Sequence, residues 1–146
     1  MPRLIVPNDA TIHTARSFLE KSRPYERNGQ GGILEFHPRW AHVDPFALSI
    51  IAAWDGWCKR AGFEVTVENL GKQANYAARM RLFQHLSIDY NPSVVEHEEA
   101  GRFLPLTQIQ NHQQLTAVIA DISALLHLDT EPDALAAVQY CVSELI

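Results

Sequence analysis

Seven histidines, two cysteines and a handful of acidic and aromatic side chains are the residues of this 146-residue chain that could do chemistry. Metal binding is the first to weigh. His37 and His42 stand five apart in a loop-like stretch, without the spacing that puts two imidazoles on one helical face, and there is no CxxC or HExxH motif. His97 lies among Glu96, Glu98 and Glu99, which reads as a solvated acidic linker. No metal site is expected. For nucleophilic chemistry, neither Cys58 nor Cys141 has a histidine on a neighbouring turn, and the chain holds no GxSxG elbow and no GxxxxGK(S/T) phosphate loop. Lys72, Arg79 and Arg81 form a mild basic face that serves solubility. Trp54 and Trp57 could line a small-ligand pocket. With no polar groups beside them in sequence to orient a ligand, they read first as core packing.

The elements that would position these residues follow from hydrophobic period and caps. Arg3-Leu4-Ile5-Val6 is a short strand pattern, and Asp9 is placed to cap a helix with Ile12, Ala15, Phe18 and Leu19 on one face. Residues 22–32 read as an exposed loop before the strand Ile33-Leu34-Glu35-Phe36. Asp44 and Pro45 open the strongest helix, as N-cap and first helical residue, which explains both without invoking function. That helix is apolar almost all round and should be heavily buried; Gly62 closes it in the left-handed conformation. A strand over residues 63–68 and a helix over residues 72–86 follow. Residues 102–106 are strand-like. The next helix carries Leu115, Val118, Ile119, Ile122, Leu125 and Leu126. The last has Thr130 as candidate cap and the stripe Leu135, Val138, Val142, Leu145. These two should pair as an antiparallel hairpin, whose leftover apolar surface would favour self-association.

The alternation of strand and helix predicts an α/β fold: a small sheet of about four strands with crossover helices, then a strand-helix-helix extension. Expected boundaries are an α/β domain over 1–90, a linker over 91–101 and a second unit over 102–146. The net charge of −5 argues against nucleic acid as a partner. No apolar run approaches the roughly 20 residues that span a bilayer, and Met1-Pro2-Arg3 does not open a signal peptide. Cys58 and Cys141 fall in apolar helical patterns and read as reduced core thiols of a cytoplasmic protein.

Two resemblances sharpen this. "GGILEFHPRWAHVDPFALSIIAAWDGWCKRAGFEVTVEN", residues 31–69, resembles the STAS domain of sulfate transporters and anti-sigma-factor antagonists, in which a buried strand ends in a turn with an Asp, a helix begins there and a further strand follows. The likeness extends loosely over residues 3–90. Phosphorylatable members carry Asp-Ser or Asp-Thr at the helix start, whereas this chain has Asp44-Pro45, so the usual phosphoswitch hydroxyl is missing. "DALAAVQYCVSELI", residues 133–146, resembles the first helix of the GHKL fold, the ATP-binding domain of gyrase, histidine kinases and anti-sigma serine kinases. In those kinases the helix carries a Ser-Glu pair, the Glu being the general base, and an Asn four residues later that holds magnesium. Ser143-Glu144 matches the pair, and the Asn position falls past Ile146.

The resemblance therefore implies a regulatory, protein-interaction module of the bacterial signalling type, fused to the truncated start of a histidine-kinase-like ATPase domain and catalytically incompetent as it stands. Glu144 would be catalytic only in a completed domain, and ATP and magnesium would belong to a longer parent. The expected partner is a protein, or the chain's own ATPase domain. The alternatives are the input half of an ATP-dependent serine or histidine kinase-like enzyme, and a small-ligand sensor built around Trp54 and Trp57.

Overall fold

Two aliphatic runs and one alternating strand build the main sheet. The computed structural model describes residues 1–39, 42–70, 74–91, 102–128 and 132–144. The chain divides into two compact units, Met1–Glu96 and His97–Ile146. In the first, β1 (Arg3–Val6), β3 (Gly31–Phe36) and β5 (Glu64–Glu68) form a parallel sheet in that order. Two-residue strands β2 (Asp9–Ala10) and β4 (His42–Val43) pair in parallel as a separate ladder. Helix α1 (Ala15–Glu20) connects the first pair of main strands and α2 (Pro45–Arg60) the second. The fold is mixed α/β, and its strands divide into a sheet of three and a sheet of two rather than one sheet of four.

Period-two alternation decides which face is buried. Leu4, Val6, Leu34 and Phe36 are buried and lie in register across β1 and β3. Gly32 shares their face, and a side chain there would press on Cys58 Sγ at 3.2 Å and on Val65 and Trp54 just beyond. Glycine thus lets α2 approach β3 closely. From α2 the residues Ala47, Leu48, Ile51, Trp54 and Cys58 fill the space, at the three- and four-residue spacing of one helical stripe. The opposite sheet face is mixed: Ile33 is buried on it, and Arg3 reaches Glu35 at 3.4 Å and Glu68 at 4.0 Å. The outer edge of β1 is closed, because Arg3 exchanges backbone hydrogen bonds with Arg23 at 3.0 and 2.9 Å and Ile5 N–H donates to Ser22 Oγ at 2.9 Å.

Four local expectations need correction. Asp9 does not cap a helix: its backbone is taken into the β2–β4 ladder, and α1 starts six residues later, after a turn in which Thr14 Oγ1 donates to the Asp9 carbonyl at 2.9 Å. The single helix expected over 72–86 is broken into α3 (Asn75–Arg79) and α4 (Leu82–His85), with Arg81 left-handed between them at φ 60°; Lys72 lies outside the described residues. The break has a packing reason. On one straight helix Ala77 and Leu86 would point to opposite sides, whereas here Ala77, Met80, Leu82, Phe83 and Leu86 are all buried. Helix α2 is not buried all round: Phe46 is exposed and Ile50 half-buried. The stretch 102–106 forms no strand, since its backbone joins no ladder among the described residues.

The second unit holds α5 (His112–Leu125) and α6 (Pro132–Glu144), which pack against each other. Asn111 caps α5, its Oδ1 accepting from Gln114 N–H at 2.9 Å, while Gln114 Oε1 accepts from Gln110 N–H at 2.8 Å. This is a capping box shifted by one residue at its return bond. Along α6 the side chains of Leu135, Val138 and Val142 are half-buried and none is fully buried. Thr130, Leu145 and the acidic cluster at Glu96 to Glu99 lie outside the described residues. Among the described residues no helix is long and apolar enough to cross a membrane.

Candidate functional site

Two places in the first unit gather side chains capable of recognition, both built by α2. The first is the helix start. Asp44 takes extended backbone angles and its Oδ1 accepts from Ala47 N–H at 2.8 Å, satisfying a donor that a helix start would leave bare. Its Oδ2 accepts from Ile12 N–H at 2.9 Å, in the turn that follows β2. One carboxylate therefore ties the turn that follows β2 to the helix start that follows β4. Burial pushes the Asp44 carboxyl up, but backbone donors from Ala47, Ile12 and Phe46, helped by His42, outweigh it and hold the group below its ordinary value. Pro45 follows as first helical residue and offers no hydroxyl. Tyr76 is close enough to feel this charge: burial first, then Asp44, push its phenol up, against the opposing pull of Arg79. Open parallel sheets present their binding surfaces at this end, beyond the carboxyl ends of the strands.

The second place is a cavity of about 320 Å³ between α2 and the segments that carry Leu4, Leu19 and Pro24-Tyr25. Leu4, Leu19 and Ile50 supply its aliphatic wall; Tyr25, Trp54 and Trp57 supply aromatic faces; Arg60 stands among the lining residues as the charged one. The loop is pinned in place by Trp54, whose indole N–H donates to the Pro24 carbonyl at 2.7 Å. Tyr25 meets Trp57 edge-on, with ring centroids 5.3 Å apart and planes at 88°. Phe63 holds Trp57 from another side at 6.0 Å. The volume falls at the lower end of the small-molecule range.

Both tryptophans that the sequence singles out meet at this cavity, and Trp54 also packs in the core. Tyr25 and Arg60 were not legible as partners of them. The one signal was α2 itself: its second apolar stripe, Ile50, Ala53 and Trp57, is surplus to covering the sheet.

The other candidates stand apart. Glu144 is exposed near the end of α6 in the second unit, and the neighbouring Ser143 hydroxyl donates to the Tyr140 carbonyl at 2.8 Å. Cys58 is buried; burial, with a smaller push from Asp55, raises its thiol to about 11, so it is a poor nucleophile. Cys141 is exposed, which corrects its reading as a core thiol: the apolar stripe of α6 passes it by. His37 Nδ1 accepts from Arg39 N–H at 3.4 Å, and no group of three potential metal ligands gathers among the described residues. Asp55 is buried and paired with Lys59 at 2.7 Å, and Lys59 Nζ also donates to the His85 carbonyl at 3.1 Å, tying α2 to the end of α4.

No family model matches the chain, and no curated protein or solved structure is found to be similar to it.

Proposed function

We propose that residues 1–90 act as a STAS-like regulatory module of a cytoplasmic signalling protein, working through a binding surface rather than by catalysis. The observation that carries this reading is the double clamp of Asp44, which fixes the turn where the resemblance places the family's switch and leaves Pro45 where a phosphorylatable residue would stand. The partner is a protein, or an ATPase domain of the same polypeptide. A serine kinase that acts on STAS domains provides the test. Surface plasmon resonance should detect a complex, and mass spectrometry should find the segment around Asp44-Pro45 unmodified after incubation with ATP. Absence of any complex counts against the module reading.

The second unit is proposed as the opening elements of a histidine-kinase-like ATP-binding domain, with Glu144 as general base only where further chain supplies the magnesium-binding Asn and the adenine contacts. This 146-residue chain should then show no useful affinity for magnesium-ATP by calorimetry. A micromolar dissociation constant would sink that assignment. In a longer protein the same arrangement would be the input half of a kinase-like enzyme.

A second reading, a small-ligand sensor, is favoured by a specific observation: the cavity at Trp54 and Trp57. A ligand there would bear directly on α2, the helix whose first turn carries Asp44, and so link occupancy to the proposed contact surface. Nuclear magnetic resonance of the tryptophan indole N–H groups during ligand screening tests it.

A further inference from the structure

We propose that the groove beside α2 binds a small, flat, apolar molecule carrying one negative charge; the inference rests on the ligand-sensor reading and names its ligand class.

The body of such a ligand is specified by the walls. Tyr25 and Trp57 meet at right angles, and Trp54 and Leu19 stand with them in an apolar lining; Leu4 backs that lining from the core, with no exposure of its own. A planar hydrocarbon or heteroaromatic ring system stacks on such surfaces without needing many hydrogen bonds. The Trp54 indole N–H is already spent on Pro24 and is not offered to a ligand.

The charge is specified by what is paired and what is not. Of the carboxylates on the neighbouring segments, Glu20 is engaged by Arg16 at 2.7 Å, Glu26 by the N-terminal amine at 3.4 Å and Asp55 by Lys59 at 2.7 Å through one oxygen, its Oδ1 being buried without a partner among the described residues, while Glu64 forms no ion pair among them. Arg60 pairs with no carboxylate among the described residues. Its guanidinium lies back along α2, with Nη1 3.5 Å from where a side chain on Gly56 would begin. The Tyr25 hydroxyl likewise has no hydrogen-bond partner among the described residues. A cation and a neutral donor among the lining residues of an aromatic groove select an anionic head group such as a carboxylate, which Arg can hold through two parallel N–H donors.

The test uses the full chain and three probes that share one ring system: 2-naphthoate, neutral 2-naphthamide and cationic 2-naphthylmethylammonium. Calorimetry gives the affinities, and the indole N–H resonances, assigned with Trp57→Phe, report the location. The expected result is perturbation of the Trp57 resonance by naphthoate, with affinity about fivefold above that of the amide, as for a partly exposed ion pair. The cation should bind weakest. Arg60→Gln, an exposed change at the helix end, should erase the preference, bringing naphthoate and the amide to the same affinity. If naphthoate is no tighter than the amide, or Arg60→Gln leaves its advantage intact, the anion assignment is overturned and the groove survives as a ligand site. If none of the three moves the Trp54 or Trp57 resonance at millimolar concentration, the inference and the sensor reading beneath it both fall.

Discussion

The two units of the chain are held by different means. In residues 1–96 the sheet and α2 enclose a set of fully buried side chains, Leu4, Val6, Leu34, Leu48 and Ile51 among them. In residues 97–146, Leu115 and Ser123 are the buried residues of α5, and α6 has none among the described residues. Both units have good local signals, a capped α2 and a capped α5. Capping satisfies a helix end and contributes about 1 kcal/mol, whereas burying one large aliphatic side chain contributes about 1.5–3 kcal/mol and can be repeated across a core. The difference teaches that helical pattern alone does not make a rigid platform. The platform for the proposed recognition is α2, because one of its faces is fixed by the sheet and further side chains of the helix line the groove.

Truncating the core should give the largest contrast. Leu34→Ala, at a position with no exposure, should cost about 2–5 kcal/mol in denaturant unfolding. The equivalent Leu135→Ala on α6, where the side chain is half-buried, should cost clearly less, about 1 kcal/mol. Equal losses would break the comparison.

How much of this was legible in the sequence depends on how local the cause is. Strands β1, β3 and β5 and the whole of α2 could be read from period, from Asp44-Pro45 and from Gly62, since each signal lies within the element it defines. The β2–β4 ladder could not, because two-residue strands exist only through pairing between Asp9-Ala10 and His42-Val43, some thirty residues apart; that pairing is also what took Asp9 away from a capping role. The break at Arg81 carries no Gly or Asn to announce it, and only the need to bury Leu82 together with Ala77 explains it. At the groove, Trp54 and Trp57 could be singled out as aromatic, but Tyr25 and Arg60 join them through tertiary folding alone.

Next in size is the clamp at Asp44. Asp44→Ala should destabilise by about 0.5–2 kcal/mol, and Asp44→Asn by less, because one oxygen remains for Ala47 N–H while the bond from Ile12 N–H is lost. The effect has a definite pH dependence. With the folded carboxyl held below its ordinary value, its contribution is fully present above the unfolded pKa of about 3.9 and is lost as pH falls through the lower folded value. The gap between wild type and Asp44→Ala in chemical unfolding should therefore narrow on acidification below about pH 4, the neutral carboxyl keeping one acceptor for Ala47 N–H. A gap that stays constant would mean that the charge is irrelevant to the clamp.

The smallest effect sharpens the account of α2. Gly56 lies inside the helix, and a side chain there would meet only Arg60 Nη1, at an ordinary contact distance of 3.5 Å. Gly56→Ala should raise stability by about 0.5–1 kcal/mol, from helix propensity and reduced freedom of the unfolded chain. Loss of stability would show that the outer face of α2 is packed more tightly than the groove requires.

The two cysteines offer the most direct test of the central claim, that residues 1–96 hold a fixed core around α2 and residues 97–146 do not bury α6 to the same degree. Cys58 sits in that core against Gly32, and Cys141 is exposed on α6. Alkylation of the native full chain with iodoacetamide, followed by peptide mass spectrometry, reads both at once. Cys141 should react at the rate of an exposed thiol. Cys58 should be slower by at least about a thousandfold, since it must wait for opening of a unit with ordinary domain stability. Comparable rates at the two sites would contradict the account, because α2 could not then be the rigid element on which the clamp and the groove depend.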